Sequence, residues 1–322
     1  MPYLADRILS FIPTYAIPRH LASYIPGESP FSTWPVVASM TVTYLAVVFG
    51  TREIMKDRAP LELTTPFRAH NLILSAGSIL LMALIGEEVF LNWTKVGTYG
   101  SLCVSEAYTN RLELYMMLNY YFKYYEFVDT VFLTLKKKPL SFLHVYHHSA
   151  TAVLAFVQLN GRATATWIPA FLNLGVHVLM YYYYFATAGG AKLWWKKYLT
   201  TMQILQFIVI LAVSLFVSYQ YLAYNWFPTV LPHVGNCTAT PTAAIVGTGI
   251  IASYLLLFLQ FFRRTYSNKT GSSKNVGTTG SSKTMRGHVK GKSSVNTPGS
   301  LRLRVELVRG LSVCVAHDAH DG

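Results

Sequence analysis

Seven apolar stretches, each long enough for a bilayer, constrain this chain more than any other feature. A hydrocarbon core takes about 20 mostly apolar residues per helix, and such runs occur near residues 34–51, 70–92, 112–135, 141–159, 165–187, 199–222 and 242–262. With 52% hydrophobic and only 13% charged residues in 322, the chain is too apolar for ordinary soluble domains. The expected fold is an all-α polytopic membrane protein with seven transmembrane helices spanning residues 34–264. Residues 1–33 read as an interfacial, lumenal segment, because prolines interrupt the apolar run of "MPYLADRILSFIPTYAIPRH" where a cleavable signal would be continuous.

Basic residues orient the spans. Arg52, Lys56, Arg58, Arg68, Lys136, Lys137, Lys138, Lys192, Lys196, Lys197, Arg263 and Arg264 fall on one side, against Lys95, Arg111 and Arg162 on the other. The first side is therefore expected in the cytosol, with the N-terminus lumenal and the C-terminus cytosolic. Two sequons, at Asn92 and Asn236, fall on the lumenal side, where glycosylation occurs. Beyond Arg264 the chain turns Ser-, Gly- and Lys-rich, so residues 265–322 read as a disordered basic cytosolic tail. Its charge suits anionic lipid, and no nucleic-acid partner is expected. Cys103 and Cys237 fall in lumenal loops and Cys314 in the tail. An oxidising compartment favours a Cys103–Cys237 disulfide, the alternative being two unpaired thiols.

Against this apolar background, ionisable residues inside spans stand out. His144, His147 and His148, in "SFLHVYHHSA", share one helix face at i, i+3, i+4 spacing. Lys123, Glu126, Asp129 and Thr130 lie in "KYYEFVDT", where an internal ion pair that staples helices is one reading. Asn173 and His177 are one turn apart in the fifth span, as are Gln203 and Gln206 in the sixth. The assigned directions put Glu126, Asp129, His147, His148, His177 and Gln203 all in the cytosolic half of the membrane. Four independently placed helices thus contribute to one depth.

Four segments in this order, "KYYEFVDT" (123–130), "HVYHH" (144–148), "HVLMYYYY" (177–184) and "TTMQILQ" (200–206), resemble the ELO fatty acid elongases, most closely the fungal members. The resemblance covers roughly residues 30–265. It implies a condensing enzyme, a very-long-chain 3-oxoacyl-CoA synthase of the endoplasmic reticulum membrane. Acyl-CoA and malonyl-CoA would give a 3-ketoacyl-CoA two carbons longer, CO2 and CoA. It also implies that six of the seven helices surround an acyl tunnel open to the cytosol. No cofactor or metal is expected beyond the two thioester substrates, and the partners would be membrane lipid and the ketoacyl reductase, dehydratase and enoyl reductase of the elongation cycle.

No thiol lies near the polar cluster, so a histidine must take the acyl group. His147 is the expected nucleophile, with His144, His148 and His177 orienting it and handling protons. Lys123, Glu126, Asp129, Asn173, Tyr181, Gln203 and Gln206 form the expected substrate-binding set, the first three also holding helices and tautomers in place. Two other classes compete. A di-iron desaturase or hydroxylase also displays HxxHH boxes but draws on about eight histidines, whereas His20, His233, His288, His317 and His320 lie outside this cluster; a single zinc on His144, His147, His148 and His177 is geometrically conceivable. A transporter could use the same polar cluster, although no pair of matching broken helices relates the two halves.

Overall fold

Hydroxyl caps and prolines fix where several helices begin. The first N–H groups of a helix lack intrahelical partners, and Thr109, Ser141 and Thr240 supply them: their hydroxyl oxygens accept from Leu112, His144 and Ala243 N–H at 3.1, 3.2 and 3.2 Å. Pro35 and Pro241 occupy first-turn positions where the missing N–H costs nothing. The computed structural model describes residues 3–10 and 18–267. Its helices are α1 (Tyr3–Leu9), α2 (Arg19–Ala22), α3 (Trp34–Ile54), α4 (Thr64–Cys103), α5 (Asn110–Tyr125), α6 (Phe127–Leu135), α7 (Phe142–Asn160), α8 (Trp167–Ala188), α9 (Lys196–Trp226) and α10 (Pro241–Phe262). No strand occurs among the described residues.

The expected runs at 70–92 and 112–135 are redrawn. The first is the middle of α4, which extends to Cys103 past a break at Gly97, where φ of 69° suits glycine. The second divides at Glu126 into α5 and α6. Four helices, α3, α4, α9 and α10, are long and apolar enough to cross a membrane, so this is a multi-pass membrane protein. The three remaining runs fall short of that measure: α5 ends after 16 residues and α6 after 9 because the run breaks at Glu126, while α7 and α8 carry polar residues that neighbouring helices enclose, including His148 and His177.

Helices α4 and α8 form the most extensive pair, α9 packs on α10, and α7 is central, touching α3, α5, α6 and α10. The main core joins α4, α5, α7 and α8 through Ile85, Leu112, Met117, Tyr120, Phe156 and Leu174. Gly77 permits the α4–α5 approach, since a Cβ there would come within 2.6 Å of the Phe122 ring. The outer surface is apolar instead of charged: Val42, Phe90, Leu205, Ile245 and Leu256 are all exposed, as a lipid-facing surface requires.

At one end, Cys103 and Cys237 form a disulfide that ties α4 to the α9–α10 connection. Thr238 N–H donates to Cys103 O at 2.8 Å beside it, and Val217 and Ala165 pack around the sulfurs. The N-terminal segment docks along α4 and α5: Glu87 accepts from Leu4 and Ala5 N–H at 2.8 and 3.2 Å, Arg111 pairs with Asp6 at 2.8 Å, and Ser23 donates to Glu113 at 3.1 Å.

The sequon at Asn92 needs correction, because its side chain is buried inside α4 and donates to Ala107 O at 3.2 Å; a glycan could not be carried there. Asn236 is exposed. The helix after α10 continues as a π-turn, Arg263–Ser267, past the expected boundary at 264. The remainder of the expected tail and Cys314 lie outside the described residues.

Candidate active site

The break between α5 and α6 sets out the polar centre. Lys123 ends α5, Glu126 occupies the break, and Asp129 and Thr130 open α6. Lys123 Nζ donates to Glu126 Oε1 at 2.8 Å and to Asn173 Oδ1 of α8 at 2.9 Å. Asn173 Nδ2 lies 3.2 Å from His177 Nε2. The circuit closes at His177 Nδ1, 3.3 Å from Glu126 Oε1 but without hydrogen-bond alignment. Lys123 and Glu126 are 3% and 2% exposed, and charges so deep in an apolar bundle persist only when paired and hydrogen-bonded.

Asp129 and Thr130 reach four further helices from the same turn. Asp129 Oδ1 is 2.7 Å from His70 Nε2 of α4, and Oδ2 accepts from Tyr181 OH of α8 at 2.9 Å. Thr130 Oγ1 lies 2.9 Å from Tyr44 OH of α3 and 3.0 Å from His144 Nε2 of α7. One turn along α7, the His148 ring stands 4.4 Å from that of His144, buried and with Nδ1 unpartnered.

His147 faces elsewhere. Its ring lies 4.8 Å from that of Tyr254 on α10 and lines a cavity of about 150 Å³ enclosed by α5, α7, α8, α9 and α10. At the polar end of this cavity sit Lys123, His147, Asn173 and Gln206; its walls include Leu154, Phe207, Ile210 and Ile251. The opposite end reaches Ala165, Val213 and Val217, which also surround the disulfide. Gln206 Oε1 is buried and unpartnered at the cavity wall. A polar head leading into a long apolar chamber fits an amphiphile with a reactive polar end.

Of the eleven expected catalytic and binding residues, only Lys123, His147, Asn173 and Gln206 line the cavity. Glu126, Asp129, His144, His148, His177 and Tyr181 stand behind them in the hydrogen-bonded and ring-stacked surround. Gln203 does not join either group; its Nε2 points to Met180 Sδ at 3.7 Å. Among the described residues no three His, Cys, Asp or Glu side chains are grouped to hold a metal ion.

Sequence reasoning missed four contributors. His70 is a histidine at the very start of an expected span, a position that alone marks it. Tyr254 OH and Thr151 Oγ1 lie 2.8 Å apart and each is within hydrogen-bond reach of His147 O, at 3.1 and 2.6 Å, so their two hydrogens are shared over this triangle and pin α10 to the turn that carries His147. Asn119 lines the cavity one turn from Lys123, its Oδ1 unpartnered.

This chamber and its polar surround lie within the residues that comparison with known proteins covers. The model of the family described as "ELO: GNS1/SUR4 family" matches residues 29–274, from the entry to α3 to just past α10. "Putative fatty acid elongase 1" of Schizosaccharomyces pombe is 46% identical over 253 residues, 78% of this chain and 75% of that protein. "Fatty acid elongase A" of Dictyostelium discoideum is 34% identical over 77% of this chain and 89% of its own length. "Long chain fatty acid elongase 1" of Caenorhabditis elegans is 32% identical over 74% and 81%. A match across the whole helical bundle, with the polar centre inside it, means that the chain belongs to the ELO (GNS1/SUR4) family.

Proposed function

We propose that this protein is the condensing enzyme of fatty acid elongation, joining a long-chain acyl-CoA to malonyl-CoA to give a 3-ketoacyl-CoA, CO2 and CoA. The observation that carries this reading is that His147, alone among His144, His147, His148 and His177, lines the apolar chamber at its polar end. An acyl chain occupying the chamber would present its thioester carbonyl to that imidazole.

In the first half-reaction an unprotonated nitrogen of His147 attacks the thioester carbon, the C–S bond breaks, and CoA thiolate leaves. The resulting acyl-imidazole is reactive toward water, and the apolar chamber protects it. In the second, malonyl-CoA loses CO2 and the electron pair becomes a thioester enolate. That carbon attacks the acyl-imidazole, the C–N bond breaks, and His147 is restored. Lys123, Asn173 and Gln206 are positioned to donate to the carbonyl oxygens as charge develops on them. The balance needs no reductant, oxidant or metal.

The same reading takes the seven helical legs, α3, α4, α5 with α6, α7, α8, α9 and α10, as seven spans. The five that enclose the chamber are joined by α4, packed on α8, to give the six-helix tunnel wall; α3 lies outside. The disulfide end faces the lumen of the endoplasmic reticulum with the N-terminus, and the polar end faces the cytosol, where the ketoacyl reductase, dehydratase and enoyl reductase would take up the product. The basic residues at Lys136–Lys138 and Lys192–Lys197 flank the polar end and suit a polyanionic CoA.

Purified protein incubated with labelled malonyl-CoA and a panel of acyl-CoAs tests the reading. It should release labelled CO2 and a 3-keto product without added metal or NADPH, and acyl-CoA alone should leave an acyl mass adduct. A requirement for O2 and reductant, or loss of turnover with chelators, would overturn it in favour of metal chemistry.

A further inference from the structure

Thr130 is fully buried where α3, α6 and α7 meet, and the condensation as written gives it no task. Its hydroxyl is shared between Tyr44 OH at 2.9 Å and His144 Nε2 at 3.0 Å. Tyr44 is itself 4% exposed, so its hydrogen cannot be spent on water. Counting donors resolves the direction of these two bonds. Were Nε2 to donate, Thr130 would either pass its own hydrogen to Tyr44 and strand the phenolic hydrogen, or accept twice and strand its own. Only one arrangement uses both hydroxyl hydrogens within the chain of three: Tyr44 OH donates to Thr130, and Thr130 donates to a bare Nε2. Stranding a buried donor costs about 1–3 kcal/mol, and the Nδ1–H that this arrangement requires is not stranded in the same way, since His144 Nδ1 is not among the buried unpartnered atoms.

We propose that Tyr44 and Thr130 form a directed hydrogen-bond chain that fixes His144 as the neutral Nδ1–H tautomer, and that both are positioning residues for the histidine cluster. The functional part of this rests on the condensing-enzyme reading above. Asp129, the nearest carboxylate on α6, does not compete for His144, because its two oxygens are taken by His70 and Tyr181. On the other side of His144 stands His148, 4.4 Å away ring to ring, and beyond it His147. A neutral His144 keeps positive charge out of a row of adjoining imidazoles whose next members must stay unprotonated for one of them to act as nucleophile. The ring of Tyr44 is held independently of its hydroxyl, stacked on Phe127 with centroids 4.2 Å apart, so removing the hydroxyl alone leaves the packing in place.

The test combines a spectroscopic signature with kinetics on the full chain in lipid nanodiscs. Nitrogen-15 spectra of histidine-labelled protein, with His144 assigned by difference from His144→Asn, should show the Nδ1–H tautomer in the wild type. Thr130→Val should move it toward Nε2–H and Thr130→Ser should keep it. Tyr44→Phe leaves Thr130 its one hydrogen and Nε2 as its only acceptor, so it should keep the tautomer and weaken the Thr130–Nε2 bond, read as a shift of the Nε2 signal. In parallel, Thr130→Val should lower kcat about tenfold and Tyr44→Phe by a smaller factor, with KM for acyl-CoA within about twofold in both, the pattern of a group acting on the chemical step. An Nε2–H signal in the wild type, or a tautomer unchanged in Thr130→Val, overturns the proposal. Failure of the condensing-enzyme reading looks different: the wild type would not turn over, whatever the tautomer.

Discussion

The two ends of the chamber are held by opposite means. At the polar end, side chains from four helices meet on α6 and the end of α5: Lys123 with Glu126 and Asn173, Asp129 with His70 and Tyr181, Thr130 with Tyr44 and His144. At the far end one covalent bond, Cys103–Cys237, with two hydrogen bonds beside it, Thr238 N–H to Cys103 O and Tyr99 OH to Asn236 O, joins α4 to the α9–α10 connection. Lipid supplies no hydrophobic force between helices, so both ends need something more than apolar packing. A disulfide does this without charge, and the adjoining part of the chamber is lined by apolar and neutral polar side chains alone, among them Val213, Val217, Ser214 and Gln158. The polar end uses hydrogen bonds and ion pairs, which hold helices and, in the proposed function, at the same time orient imidazoles and donors for chemistry. Stability and function are therefore separable at one end and merged at the other.

That contrast fixes the order of effects expected from mutation. The largest falls on His147→Ala, which should remove condensation, by about a thousandfold or more as for loss of a nucleophile, and abolish the acyl adduct. The disulfide should persist in non-reducing peptide maps of that variant. An adduct that survives would move the nucleophile to another residue and separate the chemistry from the chamber.

Next comes Glu126→Ala, which leaves Lys123 buried with one partner fewer. Breaking a buried pair from one side costs about 3–5 kcal/mol, visible as a large fall in the thermal midpoint in detergent. The double variant Lys123→Met/Glu126→Leu should recover much of that stability while remaining inactive. Recovery of activity along with stability would mean that the pair is only a staple.

Replacing both cysteines by serine should cost up to about 5 kcal/mol in the chain-entropy picture for a separation of 134 residues, less where the membrane already restrains the unfolded chain. Condensation at moderate temperature should be retained, because the sulfurs lie at the end remote from His147. If the double-serine variant loses turnover while still folded, the two ends are not separable.

The smallest effect belongs to a pair of glutamines one turn apart on α9. Gln206→Ala should lower kcat measurably, since its amide faces the chamber, whereas Gln203→Ala, with its amide against Met180, should stay within about twofold of wild type. Equal effects would contradict the assignment of faces.

Much of this was written in the sequence because the bilayer enforces it. Apolar runs of a fixed length, ionisable residues confined to a few of those runs, and two cysteines clear of the polar cluster follow from the cost of exposing polar groups to hydrocarbon. So did the grouping of His144, His147 and His148 on one side of a helix, which depends only on a period of 3.6 residues. What the sequence did not determine is the rotation of each helix about its own axis relative to its neighbours. That rotation sends His147 into the chamber and His148 behind it, and puts Gln206 on the wall and Gln203 on Met180. The interruption at Glu126 shifts the helical phase within a run that reads as continuous, which is how Asp129 and Thr130 come to face helices that spacing alone would not pair with them. Only the packed bundle decides such angles, because they depend on how neighbouring surfaces fit, and no single helix carries that information.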